Sequence, residues 1–178
     1  MFFFNRKSTA SVDKLAESMA HAATEYTMAN FDAERTFWLH EHSSLQGKPE
    51  LLQEWILYRL FCDISGYRAS MNNPETNIKF SKKFLRTCGD IYIAKGVFPS
   101  MTEYEQLGKD RFYDYTDALD ERDATEAIKN VGQRFLIFAK CSQYNPALLL
   151  RASSIYTFYT IVAKETLDEM QQKFRLVE

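Results

Sequence analysis

Lys48-Pro49-Glu50-Leu51-Leu52-Gln53-Glu54-Trp55-Ile56-Leu57-Tyr58-Arg59-Leu60-Phe61-Cys62-Asp63-Ile64 reads as the opening and body of one helix. Proline is accepted at the first helical position, where its missing N–H has no partner to lose, and Glu50 puts a carboxylate in the first turn, where the helix dipole favours it. The residues behind it are apolar on nearly every side, the mark of a helix in the middle of a domain rather than on its surface.

The same punctuation recurs outward from this stretch. Pro49, Pro74 and Pro99 are 25 residues apart and Pro146 follows after 47. Asn73-Pro74-Glu75 and Asn145-Pro146 read as helix starts, and Pro99 or Thr102 opens another helix, with Met101, Tyr104, Gly108, Phe112, Tyr115 and Leu119 on one face. Asp123 caps a fifth helix through Ile128, Val131, Phe135 and Phe138. From Pro146 a last helix is apolar almost all round to Ala163 and amphipathic beyond it through Leu167, Met170 and Phe174. Segments laid over one another from the first three prolines share almost no apolar positions, so the spacing records helix length and not duplication.

Ahead of Pro49, Ser8 or Ser11 caps a long helix. Along it Val12, Ala16, Met19, Ala23, Tyr26, Asn30, Ala33, Phe37 and His40 follow steps of four and three, a heptad-like seam. Gly89 and Gly96 bracket Asp90 to Lys95, where Ile91 and Ile93 alternate as a strand would. A lone short strand has no partner to pair with, so this stretch is read as helical. The fold expected is all-α: a single-domain bundle of six to seven helices over residues 1–178, with two central apolar helices at about 50–66 and 146–163. Residues 1–10 are expected to be peripheral or disordered, and 164–178 to extend from the bundle. A chain of 178 residues buries close to 70% of its unfolded surface by the usual scaling and needs no covalent staples.

Composition excludes several function classes. The net charge of −2 argues against a general nucleic-acid binder. Cys62, Cys88 and Cys141 lie inside apolar runs with no CxxC, as free thiols of a reducing compartment do, and a cytoplasmic location is expected. Phe2, Phe3 and Phe4 beside Arg6 and Lys7 do not have the order of a secretory signal; as a membrane-surface contact they make a weak anchor without a second signal. The longest apolar runs are interrupted by Arg59, Asp63 and Arg151 and fall short of a span of about 20 residues.

Motifs of catalysis are missing: no glycine-rich phosphate loop, no His-Glu-x-x-His, no Gly-x-Ser-x-Gly and no Glu-x-x-His. No catalytic residue, metal or cofactor is therefore assigned. Asp110, Asp114, Asp117 and Glu121 form an acidic stripe with the spacing of Mg²⁺ ligands, but it faces away from Phe112, Tyr115 and Leu119 and reads as a solvated face. His21, between Glu17 and Glu25, reads as a surface ion-pairing group, and His40 and His42 diverge on a helix.

Two groups remain. Lys79, Lys82, Lys83 and Arg86, interleaved with Phe80 and Phe84, form a basic segment suited to an anion or a partner protein, unless the acids at 103–126 downstream neutralise it. Arg59, Asp63 and Arg151, with Tyr156 and Tyr159, are polar groups inside the two apolar helices. Buried charges need partners, so either Asp63 pairs with Arg59 or Arg151, or these residues line a ligand pocket. The expected function is a non-catalytic helical module that binds another protein or itself, with the heptad-like first helix and the amphipathic segment after Ala163 as its contact surfaces. A small-molecule or lipid-binding domain is the alternative, and a metal-dependent enzyme using the acidic helix stands behind it.

Overall fold

The computed structural model describes residues 8–41, 49–141 and 145–177. Among these, a strand β1 (Ser8–Ser11) leads into α1 (Val12–Glu41), followed by α2 (Pro49–Ser70), α3 (Pro74–Ala94), α4 (Met101–Leu119), α5 (Ala124–Phe138), α6 (Pro146–Lys173) and β2 (Phe174–Val177). The described residues form an all-α bundle of six helices with one small accessory strand pair.

Helix starts follow local chemistry. Pro49, Pro74 and Pro146 are each the first residue of their helix. Asn73 Oδ1 accepts from the N–H groups of Glu75 and Thr76 at 2.9 and 3.2 Å, and Asn145 Oδ1 serves Ala147 and Leu148 in the same way. Asp123 caps α5 by accepting from Thr125 and Glu126, both at 2.9 Å. At α4 neither Pro99 nor Thr102 is the first residue. Ser100 is the cap, its Oγ accepting from Glu103 N at 3.2 Å, and Pro99 lies ahead of it. Ser11, not Ser8, caps α1 through Lys14 N.

The stretch 90–94 is helical, closing α3. Gly96, at φ +72°, then turns the chain so that its own N–H donates to Ile93 O and that of Val97 to Tyr92 O, a glycine-dependent helix stop.

α2 divides the interior. Its Ile56, Leu57, Leu60, Ile64 and Tyr67 join α1, α3 and the end of α6 in one apolar cluster; its Leu51, Trp55, Tyr58, Phe61 and Cys62 join α4, α5 and the body of α6 in another. α6 packs most extensively on α2 and then on α5, and α1 packs on α3. Two glycines make these approaches possible. A Cβ on Gly66 would stand 2.8 Å from Ala163 Cβ and 2.9 Å from Lys164 N; one on Gly132 would stand 2.8 Å from Ser153 Oγ.

At Phe174 the chain leaves the helix rather than continuing it, and β2 pairs in parallel with β1, Ser8 opposite Phe174 and Ser11 opposite Val177. Leu167 is fully buried and Met170 packs on the core, so the last turns of α6 lie against the bundle.

Candidate functional site

The charges inside the apolar helices find partners within the protein. Arg59 and Asp63, 3% and 5% exposed, contact each other through Nη2 and Oδ1 at 3.5 Å. The Arg59 guanidinium also lies over the Tyr159 ring, 3.0 Å from its centroid. Its Nε and Nη1 and the second Asp63 oxygen have no hydrogen-bond partner among the described residues. Burial pushes the Asp63 carboxyl up to about 6, against the opposing pull of Arg59.

Arg151 turns away from this pair. It grips Glu34 of α1, with Nη2 on Oε1 and Nε on Oε2, the latter at 3.2 Å. Tyr159 stands between the two pairs with its ring edge-on to Tyr26, and burial raises its phenol to about 12. Tyr156 packs on Phe61 at 6.0 Å between ring centroids. The five residues Arg59, Asp63, Arg151, Tyr156 and Tyr159 thus divide between an α2–α6 contact and an α1–α6 contact.

Glu34 and Glu54 belong to no motif of the sequence, yet both are buried acids with arginine partners. Arg111 of α4 holds Glu54 with two bonds of 2.8 and 2.6 Å and lies over Phe138 at 3.9 Å. The available clue was a carboxylate inside the apolar run of α2, the same clue that drew attention to Asp63.

The basic segment of α3 is largely neutralised in place. Lys83 meets Glu17 at 2.5 Å and Lys79 meets Asp13 at 4.0 Å, both on α1, while Arg86 reaches Glu105 of α4 at 3.2 Å. Lys82 lies on a small apolar groove with Arg68, Pro74, Ile78 and Leu85. The acidic stripe of α4 is mostly exposed; Asp110 accepts from Gln106, and Asp117 sits 3.8 Å from Arg134. Asp117 and Glu121 border a polar cleft of 340 Å³ between α4 and α5. Among the described residues no group of three or more His, Cys, Asp or Glu side chains is placed to hold a metal ion. His21 is exposed. Phe2, Phe3, Phe4 and His42 lie outside the described residues, as does the side chain of His40.

A larger apolar concavity lies elsewhere among the described residues, between α5 and α6. It is a shallow groove of 730 Å³ with Ile128 and Lys129 on one wall and Leu150, Ser154, Phe158 and Ile161 on the other. Leu150 is 69% exposed, Phe158 55% and Ile161 50%. The opposite side of α6 carries Leu148, Ala152, Ile155, Tyr159 and Ala163, all buried. A helix apolar all round therefore presents one apolar side to the core and another to solvent. Large exposed apolar patches on a small domain mark contact surfaces, because leaving them in water costs about 25 cal/mol per Å².

No helix among the described residues is long and apolar enough to cross a membrane. The chain matches no protein-family model, no curated protein and no solved structure.

Proposed function

We propose that this chain is a non-catalytic helical interaction module that binds a protein partner through the groove between α5 and α6. The observation that carries the reading is the outward row of Leu150, Phe158 and Ile161 on a helix whose other apolar side is already buried. An apolar groove of this shape, walled by two helices, suits the apolar face of a third helix, with anchors at i, i+4 and i+7 spacings. The three cysteines are free and buried, which supports a cytoplasmic setting for the module.

The test is capture from a lysate of the source cell with the parent chain and with a Leu150→Glu, Phe158→Glu double variant, compared by quantitative mass spectrometry. Both positions are more than half exposed, so the variant keeps its fold, as circular dichroism will verify. Proteins retained by the parent and lost by the variant support the reading. Identical retention by both removes it.

A second reading is favoured by one observation: Arg59 Nε and Nη1, and the second Asp63 oxygen beside them, find no hydrogen-bond partner among the described residues. A small anionic ligand held inside the bundle would accept from those donors. Native mass spectrometry of the protein as purified tests it: a retained anion that Arg59→Met abolishes supports it, and a bare chain mass contradicts it.

A further inference from the structure

The outward face of α6 also carries a row whose internal symmetry bears on its occupant. Leu150, Ser154, Thr157 and Ile161 follow steps of four, three and four, large at both ends and small in the middle. At about 100° per residue these four fall within about 60° of one another, on the side of α6 opposite its buried residues. Reversing the direction of the helix maps the row onto itself: Leu150 exchanges with Ile161 and Ser154 with Thr157.

We propose that the groove is occupied by α6 of a second copy of this chain, laid antiparallel about a two-fold axis that passes at the level of Ser154 and Thr157. This rests on the reading of the groove as a protein-binding surface and names the partner. An interface between identical copies is isologous, residue i meeting j and j meeting i, and in this row the exchange sets large against large and small against small. The small Ser154 and Thr157 let the two helices approach at the centre, while Leu150 of each copy packs on Ile161 of the other.

The flanks agree with the arrangement. Arg151, its side chain 45% exposed while it holds Glu34, lies on the same flank as Phe158. The two-fold brings the second copy's Phe158 to within about two residues of the level of Arg151, where a guanidinium against a ring face is favourable. Lys129, which lines the groove, is held by Glu126 at 3.0 Å, so among the described residues the axis brings no bare like charges together.

The size of the patch sets the strength. The exposed parts of Leu150, Phe158 and Ile161 come to on the order of 400 Å² per copy, about half of a standard stable interface per partner. The dimer is therefore weak and concentration-dependent, with fast exchange of partners.

Disulfide trapping tests the register. Leu150→Cys and Ile161→Cys are made separately in the full chain, whose native thiols are buried, and each is oxidised mildly alone and as an equal mixture. In the antiparallel arrangement Cys-bearing positions 150 and 161 of different copies lie at one level, whereas two copies of position 150 are separated by about 16 Å along the helices, beyond disulfide reach. The expected result is a covalent dimer in the mixture, at least about tenfold above either variant alone, suppressed when Phe158→Glu is added to both. Linking by either variant alone as readily as by the mixture, or no linking in any sample, overturns the second copy as occupant. If linking fails while lysate capture still depends on Leu150 and Phe158, only the identity of the partner is wrong. If both fail, the groove is not a binding surface.

Discussion

Gly66 of α2 and Ala163 of α6 meet with no room for another atom: a Cβ on the glycine would stand 2.8 Å from the alanine's own Cβ and 2.9 Å from the backbone nitrogen of Lys164. This contact presses α6 against the central helix, and the matching one at Gly132 presses it against α5. The two contacts hold one side of α6 in the core and leave Leu150, Phe158 and Ile161 facing out.

Gly66→Ala is therefore expected to destabilise the fold by about 1–3 kcal/mol, because the obstacle includes backbone of α6, which cannot swing aside. Gly108→Ala is the control. The nearest atom to its added methyl is Leu57 Cδ2 at 3.7 Å, an ordinary contact. There the better helix propensity of alanine acts alone and stabilises by up to about 1 kcal/mol. Urea unfolding of the two variants checks the pair, and the opposite signs are the diagnostic feature.

The Asp63 carboxyl, raised from 3.8 to about 6 by burial, binds its proton more tightly in the folded than in the unfolded chain. Its contribution to stability is fully present below about pH 4 and falls as pH rises to about 6, by on the order of 3 kcal/mol, then stays level. The titrating groups that sense its charge, Cys62, Tyr67, Cys88 and Tyr92, are all held protonated by burial over this range, so they add no slope of their own. Asp63→Asn keeps an oxygen toward Arg59 and removes the titration. Relative to the parent, the variant is expected to gain stability progressively from pH 4 to 6, as followed by chemical denaturation at each pH. A difference between the two that does not change with pH would contradict the burial argument.

Glu34 and Arg151 form a lopsided pair, their side chains 8% and 45% exposed. Removing the arginine strands a buried carboxylate, whereas removing the acid leaves a guanidinium that can turn to water. Arg151→Met is expected to cost on the order of 2 kcal/mol and Glu34→Gln less than about 1 kcal/mol. Equal losses in thermal or urea unfolding would show that burial does not govern this contact.

The helices were legible because their signals are local. Pro49, Pro74 and Pro146, with caps at Asn73, Asp123 and Asn145, act within a turn of where they stand, and the structure places helix starts accordingly. What was missed is non-local. The parallel pairing of Ser8–Ser11 with Phe174–Val177 joins opposite ends of the chain and leaves no local periodicity. The seam of α1 drifts for a related reason. Val12, Ala16 and Met19 are buried as the heptad steps require, but Tyr26 is 49% exposed, and the buried positions move to Thr24, Thr27 and Glu34. A straight helix turns once in 3.6 residues and slides off a 3.5-residue repeat by about 20° per heptad.

The candidate sites show the same division. That Arg59 and Asp63 would meet was readable from their four-residue spacing on one helix. That Arg151 would choose Glu34 of α1, and that Arg111 would reach Glu54, depends on how helices distant in sequence are brought together. The apolar row of α6 was visible as residues but not as a surface. An all-round apolar helix gives no indication of which side its neighbours leave uncovered.

The central claim is that the outward face of α6 is covered by a second copy of this chain, and sedimentation equilibrium of the purified chain beside Phe158→Glu tests it most directly. The parent is expected to rise from the 20.8 kDa monomer toward twice that mass with increasing concentration, while the variant stays monomeric. A parent that remains at the monomer mass throughout, or a variant that associates as strongly as the parent, would contradict the account.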